Sequence, residues 1–250
     1  MSPPPLAGRV VLVTGGGAGI GRGVVEACRA GGARVVVGTL EPDAVFDDAD
    51  VECESLDVTD ADAIDRWAAG AAARHGRIDG LVANAGITLQ APFLEMRRDD
   101  LERLWQVNQR GVFLSAQAVA RHMVAGARPG SIVAIASNHA RGSDAGYEMY
   151  AATKAAIVAM CRAMAWSLGP QGIRVNTLSP GLTRTEAVAA AAADPAIETV
   201  FRGWHATGRY NTVRQVGDCA AFLLSDAAAA ISGADLLADQ GMCARLADFP

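Results

Sequence analysis

Short runs of valine, isoleucine and leucine alternate along the chain with longer stretches whose apolar residues recur at helical spacing. That alternation is the pattern of repeated strand-helix units around a parallel sheet. It predicts strands at 9–14, 34–38, 51–56, 78–83, 131–137, 173–178 and 234–238. Several are apolar throughout, as strands covered by helices on both faces must be. It predicts helices at 19–30, 61–75, 99–125, 147–168 and 215–224, the third long enough for two helices in succession. Pro129-Gly130, Gly169-Pro170 and Pro180-Gly181 fall where a helix must stop or a strand must pass into a loop. The rhythm has neither a break nor an internal repeat. The expected fold is therefore α/β: a single doubly wound Rossmann-type domain over residues 1–250, with a mostly or wholly parallel seven-stranded sheet. Residues 1–6, with three consecutive prolines, are expected to form a flexible N-terminus.

The segment 182–210 departs from the rhythm. It holds an alanine-rich run and then Pro195, Trp204 and His205. Two readings are open, a helical lid over a substrate pocket or an ordinary surface connection; the position after a strand's carboxyl end favours the lid.

Composition narrows the partners. A chain of 250 residues with 51% hydrophobic and 20% charged residues can bury a large core. A net charge of -5 removes the broad basic footprint of nucleic-acid binding, so no nucleic acid is expected. The N-terminus has no cationic segment followed by an apolar one, and no apolar run is long enough to span a bilayer, so a cytoplasmic protein without a membrane partner is expected. Five scattered cysteines form no C-x-x-C pair and read as the reduced thiols of a cytosol. His75, His122 and His205 have no ligand spacing, and no metal is expected. Trp67, Trp105 and Trp166 sit in helical patterns and are expected in the core, whereas Trp204 falls in the lid segment.

Candidate chemistry begins after the first strand, where Thr14-Gly15-Gly16-Gly17-Ala18-Gly19-Ile20-Gly21 leads directly into a helix. A turn that meets a pyrophosphate needs residues without Cβ, and a helix N-terminus adds unpaired N–H groups and a positive dipole. Gly15, Gly19 and Gly21 suit this task. The acidic residue that takes the adenosine ribose is expected about 20 residues further on, at the end of the second strand. Thr39 stands there and supplies no carboxylate, while Leu40 supplies no cation for a 2′-phosphate. Glu41 turned inward would favour NAD; turned to water it is silent. The balance lies with NAD, and NADP stays open.

Tyr150 and Lys154 lie one helical turn apart, so both project from one helix face. An isolated pair of this kind is usually an exposed polar face. Here Ser137 ends a buried-type strand and Asn108 lies in the preceding helical stretch.

Together these residues make the chain resemble the short-chain dehydrogenase/reductase family from about Leu6 to Cys243. Thr14 to Gly21 is similar to its T-G-x-x-x-G-I-G loop, Asn84-Ala85-Gly86 to its N-A-G motif, and Tyr150 with Lys154 to its Y-x-x-x-K. Asn108 and Ser137 match its helical asparagine and catalytic serine. Pro180-Gly181 through Thr185 is similar to its P-G-x-x-x-T loop, and Asp57-Val58 to its adenine-contacting pair.

The resemblance implies an NAD(P)-dependent oxidoreductase that interconverts a secondary alcohol and a ketone by hydride transfer. Tyr150 would be the general acid/base, its pKa depressed by the Lys154 ammonium and an oxidised nicotinamide. Ser137 would hold the substrate oxygen, and Asn108 a water leading from Lys154 to solvent. Cofactor contacts are implied for Gly15, Gly19, Ile20, Gly21, Thr39, Asp57, Val58, Asn84, Ala85, Gly86, Tyr150, Lys154, Pro180, Gly181, Thr183 and Thr185. The resemblance also implies a homotetramer built on helices 99–125 and 147–168.

Three residues depart from the family pattern. Thr39 leaves the phosphate preference open, Thr183 replaces an aliphatic residue so that its contact would be through backbone, and Gln240 replaces a glycine in Asp239-Gln240-Gly241, where a turn rather than chemistry is expected to be affected. His139, Arg141 and Glu148 could form a polar substrate pocket or simply a polar loop. Two further readings on the same fold are a catalytically silent dinucleotide-binding sensor or scaffold, and a redox-neutral lyase. The intact Asn, Ser, Tyr and Lys set gives the first no use for a proton relay, and the lyase would tolerate loss of the glycine loop and of the lysine.

Overall fold

The computed structural model describes residues 4–42 and 46–244. In chain order the elements are β1 (Val10–Thr14), α1 (Gly19–Ala30), β2 (Arg34–Thr39), β3 (Val51–Ser55), α2 (Ala61–His75), β4 (Gly80–Ala83), α3 (Arg98–Leu104), α4 (Gly111–Ala125), β5 (Gly130–Ile135), α5 (Glu148–Leu168) and β6 (Ile173–Pro180). Then follow β7 (Thr183–Arg184), α6 (Glu186–Ala191), α7 (Pro195–Gly203), β8 (Asn211–Thr212), α8 (Val213–Leu224) and β9 (Asp235–Ala238). The seven long strands form one sheet in the order β3-β2-β1-β4-β5-β6-β9. Every pairing in it is parallel. The expected α/β fold and its seven-stranded sheet are thus present, and the sheet is wholly parallel.

Side chains on a strand alternate faces, so each strand feeds two cores. Val10 and Leu12 of β1, Val36 of β2 and Ile132 of β5 pack toward α2, α4 and α5. Val11, Val13, Val35, Val37 and Val133 pack on the opposite face toward α1 and α8. There the two helices approach closely at glycines: a Cβ on Gly217 would lie 2.1 Å from the carbonyl oxygen of Gly23.

The third expected helix is interrupted. Between α3 and α4, Trp105–Arg110 winds as a π-helix. Such single-turn widenings insert a residue into the ladder and re-aim the side chains that follow.

The lid segment contains α6 and α7 flanked by the two-residue parallel pair β7 and β8, which the hydrophobic pattern did not foretell. Thr185, Asp194 and Thr212 each cap the N-terminus of the following helix with a side-chain oxygen. The lid is tied to the sheet's last strand through Asn211, whose amide donates to Ala238 O at 2.6 Å. It is also tied through Thr207, whose hydroxyl donates to Gln240 Oε1 at 3.0 Å. Gln240 takes a left-handed φ of 56°. This conformation favours glycine.

Two expectations are corrected. Residues 1–3 of the expected flexible N-terminus lie outside the described residues, but Leu6 does not belong to a loose segment. It is fully buried, and its N–H donates to Gly31 O at 2.8 Å. One apolar side chain among prolines is enough, because it seals the end of α1. Of the tryptophans, Trp67 is buried as expected, whereas Trp166 is 87% exposed and Trp105 is also on the surface. Their helical spacing is compatible with either face.

Among the described residues, no helix is long and apolar enough to cross a membrane. Leu6→Ala is expected to destabilise the fold by about 3 kcal/mol, the usual cost of emptying a fully buried leucine site. Urea denaturation measures it; a cost under about 1 kcal/mol would mean that the site collapses or was never closed.

Candidate active site

The strand order reverses between β1 and β4, and a crevice opens outside the carboxyl ends of the strands at such a point. Four hydrogen bonds join the two strand ends there. Thr14 Oγ1 accepts from the backbone N–H groups of Asn84 and Ala85 at 3.0 and 3.1 Å. The Asn84 amide donates to Thr14 O and Gly15 O at 3.1 and 3.0 Å. Asn84 thus holds the glycine turn, a role the sequence reading did not give it.

The turn leaves no room for side chains. Gly15 has φ of 65°, and a Cβ on it would lie 2.9 Å from Ala85 Cα; one on Gly21 would lie 2.1 Å from Gly15 O. Helix α1 then starts at Gly19 after Ala18, which makes no side-chain cap hydrogen bond. The first N–H groups of α1 therefore keep their donors for a ligand. A glycine cradle with an uncapped helix end fits the pyrophosphate of a dinucleotide.

Gly15, Gly19, Ile20 and Gly21 line a cavity of about 580 Å³ together with Asn84, Ala85 and Gly86 from the end of β4. Pro180, Gly181 and Thr185 close it from the β6 side, and Ser137, Tyr150 and Lys154 form its inner end. The lid contributes Glu186 and Ala187 of α6. Five expected site residues lie outside this lining. Thr39 is buried at the end of β2 and Val58 is buried after β3, while Asp57 is exposed and binds the backbone N–H and hydroxyl of Thr59, both at 2.8 Å. Thr183 is buried in β7 with its hydroxyl donated to Gly181 O at 2.9 Å.

Asn108 is the fifth. It sits in the π-helical turn, fully buried, and clasps one backbone unit: Oδ1 accepts from Ile87 N at 2.8 Å and Nδ2 donates to Ile87 O at 2.9 Å. Nδ2 also reaches Thr153 Oγ1 at 3.3 Å. Its side chain therefore holds the loop after β4. A Cβ on Gly86 would lie 3.3 Å from Asn108 Oδ1 and 3.5 Å from Lys154 Nζ, so the space that this glycine leaves open borders both groups.

Tyr150 lies in the first turn of α5 and Lys154 one turn further on. Lys154 Nζ donates to Ile135 O, the last carbonyl of β5, at 2.9 Å, and lies 5.7 Å from the centre of the Tyr150 ring. Burial pushes the lysine down to about 8. It also holds the Tyr150 phenol above the ordinary tyrosine range, an effect partly offset by hydrogen bonding to the hydroxyls of Ser137 and Thr88. In the chain alone burial is the larger influence, whereas the expected depression invokes the Lys154 ammonium together with an oxidised nicotinamide. Thr88, two residues after Asn84-Ala85-Gly86, was not singled out from the sequence, although its position in that loop was the available signal.

Ser137 follows β5 and caps a short turn, accepting from His139 N at 3.2 Å. His139 is pushed below the ordinary histidine range by burial. Its ring lies 4.9 Å from that of Tyr147 and 5.5 Å from that of Tyr150, and Nδ1 meets Ser143 Oγ at 2.9 Å. Arg141 is turned away to Asp235 at 3.1 Å, and Glu148 accepts from Gly146 N at 3.1 Å. Of the three polar residues weighed for a substrate pocket, His139 is the one whose ring stands beside that of Tyr150.

A family model described as enoyl-(acyl carrier protein) reductase matches residues 15–243. Human L-xylulose reductase is 36% identical over 241 residues, covering 96% of this chain and 98% of that one. A short-chain type dehydrogenase/reductase from Mycobacterium marinum superposes with a TM-score of 0.90 at 32% identity, covering 97% of this chain and 98% of that one. A gluconate 5-dehydrogenase from Burkholderia cenocepacia, in complex with NADP and tartrate, also gives 0.90 at 32% identity, over 98% of both chains. The chain belongs to the short-chain dehydrogenase/reductase family. It is an NAD(P)-dependent oxidoreductase of the alcohol dehydrogenase and carbonyl reductase type.

Lys154 gives this short-chain dehydrogenase a stability signature. Its folded pKa lies below the ordinary 10.5, so between about 8 and 10.5 the unfolded chain holds the proton that the folded chain has lost, and stability rises with pH through that window. Below it the fold bears the cost of a buried ammonium. Lys154→Met is expected to abolish turnover and to stabilise the fold at pH 7 by about 2 kcal/mol, the burial cost less the hydrogen bond to Ile135. Denaturation curves at pH 7 and pH 10 measure this; a variant less stable than wild type at pH 7 would contradict it.

Proposed function

We propose that the enzyme interconverts small polyhydroxylated secondary alcohols and their ketones with NAD(H), using Tyr150 as the acid/base and Ser137 to hold the reacting oxygen. The observation that carries this reading is the meeting of Ser137, Tyr150 and Lys154 at the inner end of the cavity that begins at the glycine turn. Relatives named for L-xylulose and gluconate, and tartrate in one neighbour, support the polyhydroxylated class. So does the polar side of the site, with Ser137, Thr88 and His139 around the phenol.

Bound in the cavity, NAD(P) supplies the hydride donor or acceptor and, when oxidised, a positive charge that favours the phenolate. Tyr150 gives its proton to the ketone oxygen in reduction and takes it from the alcohol in oxidation. Ser137 donates to the same oxygen. Lys154, held by Ile135 O, keeps an ammonium within reach of the nicotinamide ribose, and Asn108 fixes the loop at Ile87. Residues 182–210 act as the lid, since Thr185, Glu186 and Ala187 already border the cavity. Thr39, Asp57 and Val58 are assigned to the adenosine end, and Thr183 to a backbone contact with the carboxamide.

The preference for NAD rests on charge. Residues 38–50 carry Glu41, Asp43, Asp47, Asp48 and Asp50 and neither lysine nor arginine; Arg29 and Arg34 pair with Asp48 and Asp50, so the charge rests on the other three. Arg22, the cation nearest in sequence after the glycine turn, is engaged by Glu26 at 3.1 Å and lies over the Phe46 ring. A 2′-phosphate would meet repulsion there.

We place the enzyme in the cytosol, where its five free cysteines stay reduced. We assign its assembly as a homotetramer through the α4 and α5 face. That face exposes Phe113, Val124 and Trp166 around an apolar hollow of about 600 Å³ lined by Ala116, Ala120 and Met164. Sedimentation equilibrium is expected to give four chains, and a monomer at micromolar concentration would refute the assembly.

A panel of ketoses and sugar acids tests the activity. NADH is expected to exceed NADPH in kcat/KM by at least about tenfold. Tyr150→Phe is expected to lower kcat by about 10³-fold with cofactor binding retained. Because burial raises the Tyr150 pKa, the rate of alcohol oxidation should climb toward alkaline pH as the phenol loses its proton. Wild-type rates from the phenylalanine variant would exclude Tyr150 from the chemistry.

A further inference from the structure

Ser137 has one proton and two lone pairs. In this structure the proton is committed: Ser137 Oγ donates to Asn138 Oδ1 at 3.2 Å. One lone pair accepts from His139 N at 3.2 Å. Asn138 is 95% buried, given its 5% exposure, and both ends of its amide are used. Nδ2 donates to Met242 Sδ at 3.3 Å. A thioether sulfur carries lone pairs and no proton, so the nitrogen must face Met242, and the oxygen is left to face Ser137.

Met242 is itself held. It lies in the turn after β9, where the Asp239 carboxylate, 5% exposed, accepts from Gly241 N at 3.0 Å and from Cys243 N at 2.7 Å. Asp239 also backs the P-G turn, since a Cβ on Gly181 would lie 2.7 Å from its Cβ. A continuous path of contacts therefore runs from the C-terminal turn through Met242 and Asn138 to the serine beside Tyr150.

We propose that Asn138 is a positioning residue that sets the direction of the Ser137 hydroxyl, and that Met242 fixes Asn138 for this purpose. With its proton on Asn138, Ser137 is held beside the Tyr150 phenol at the inner end of the cavity. A ketone oxygen entering the site draws the serine proton over from Asn138 by rotation about one bond. The carboxamide thus keeps the serine in the rotamer from which that rotation is short. The inference rests on the reading that Ser137 and Tyr150 serve alcohol and ketone interconversion, and it gives the turn at Asp239-Gln240-Gly241 a part in the chemistry.

Steady-state ketone reduction with NADH by wild type, Asn138→Ala, Ser137→Ala and the double variant tests it. Asn138→Ala is expected to lower kcat about tenfold, the factor one hydrogen bond controls, with KM for NADH unchanged. In the Ser137→Ala background the same change should cost less than about twofold, because the group it positions is gone. Met242→Leu, which keeps the volume and removes the acceptor, should lower kcat about threefold only when Ser137 is present, and it reads the same coupling if Asn138→Ala fails to fold. Equal losses in both backgrounds, or unchanged kcat in both single variants, would overturn the role. An inactive wild type would overturn it through the reading beneath it, a result distinct from an active wild type with additive variants.

Discussion

The hydrogen bonds between Thr14 and Asn84 are the constraint on which the site depends. They join β1 to β4 at the point where the sheet changes direction, and there the chain must both leave a crevice and keep its walls in register. The tolerance is small. The Gly15 carbonyl that accepts from Asn84 is also the atom a Cβ on Gly21 would strike at 2.1 Å, so the same bonds that brace the turn fix the space for a phosphate.

Burial sets the electrical character of the inner end. Lys154 and Tyr150 are both disfavoured in their charged forms by removal from water, and the ammonium donates to the Ile135 carbonyl rather than to a carboxylate. A cavity in this state is poised for a ligand that supplies ribose hydroxyls and a cationic ring, since either would compensate groups the protein leaves under-stabilised. Catalytic readiness is thus obtained at some cost in stability. His139, also driven toward its neutral form, adds a polar edge without adding a charge that would compete with the lysine.

Much of this was legible in the sequence, for physical reasons that particular residues make plain. Parallel strands covered on both faces read as unbroken apolar runs, so Val10 to Val13 and Ile132 to Ile135 announce themselves. The glycine turn and the Tyr150-Lys154 pair pointed to the chemistry through the family resemblance they carry, since one-turn spacing by itself fits an exposed polar face as well. What was hidden depends on contacts distant in sequence or on backbone detail. The π-helical turn at Asn108 shifts the hydrogen-bond ladder without changing the apolar pattern around it. Leu6 looks like one apolar residue in a proline-rich leader until α1 is seen above it, and Trp166 looks like core until its helix face is known. Nothing local in Asn138 connects it to Met242, which lies 104 residues away. The burial that raises the Tyr150 pKa in the chain alone was hidden too, because it is a property of the assembled cavity.

The most direct measurement follows the hydride itself. Wild-type enzyme is incubated with NADH carrying deuterium at the transferable position and a polyhydroxylated ketone, and the product alcohol is examined by mass spectrometry. One deuterium on the carbinol carbon, per NADH consumed, is the expected result. Tight binding of the labelled cofactor without transfer to any ketone in the series would contradict the account, because the phenol, the serine and the cofactor cavity would then share a place without sharing a reaction.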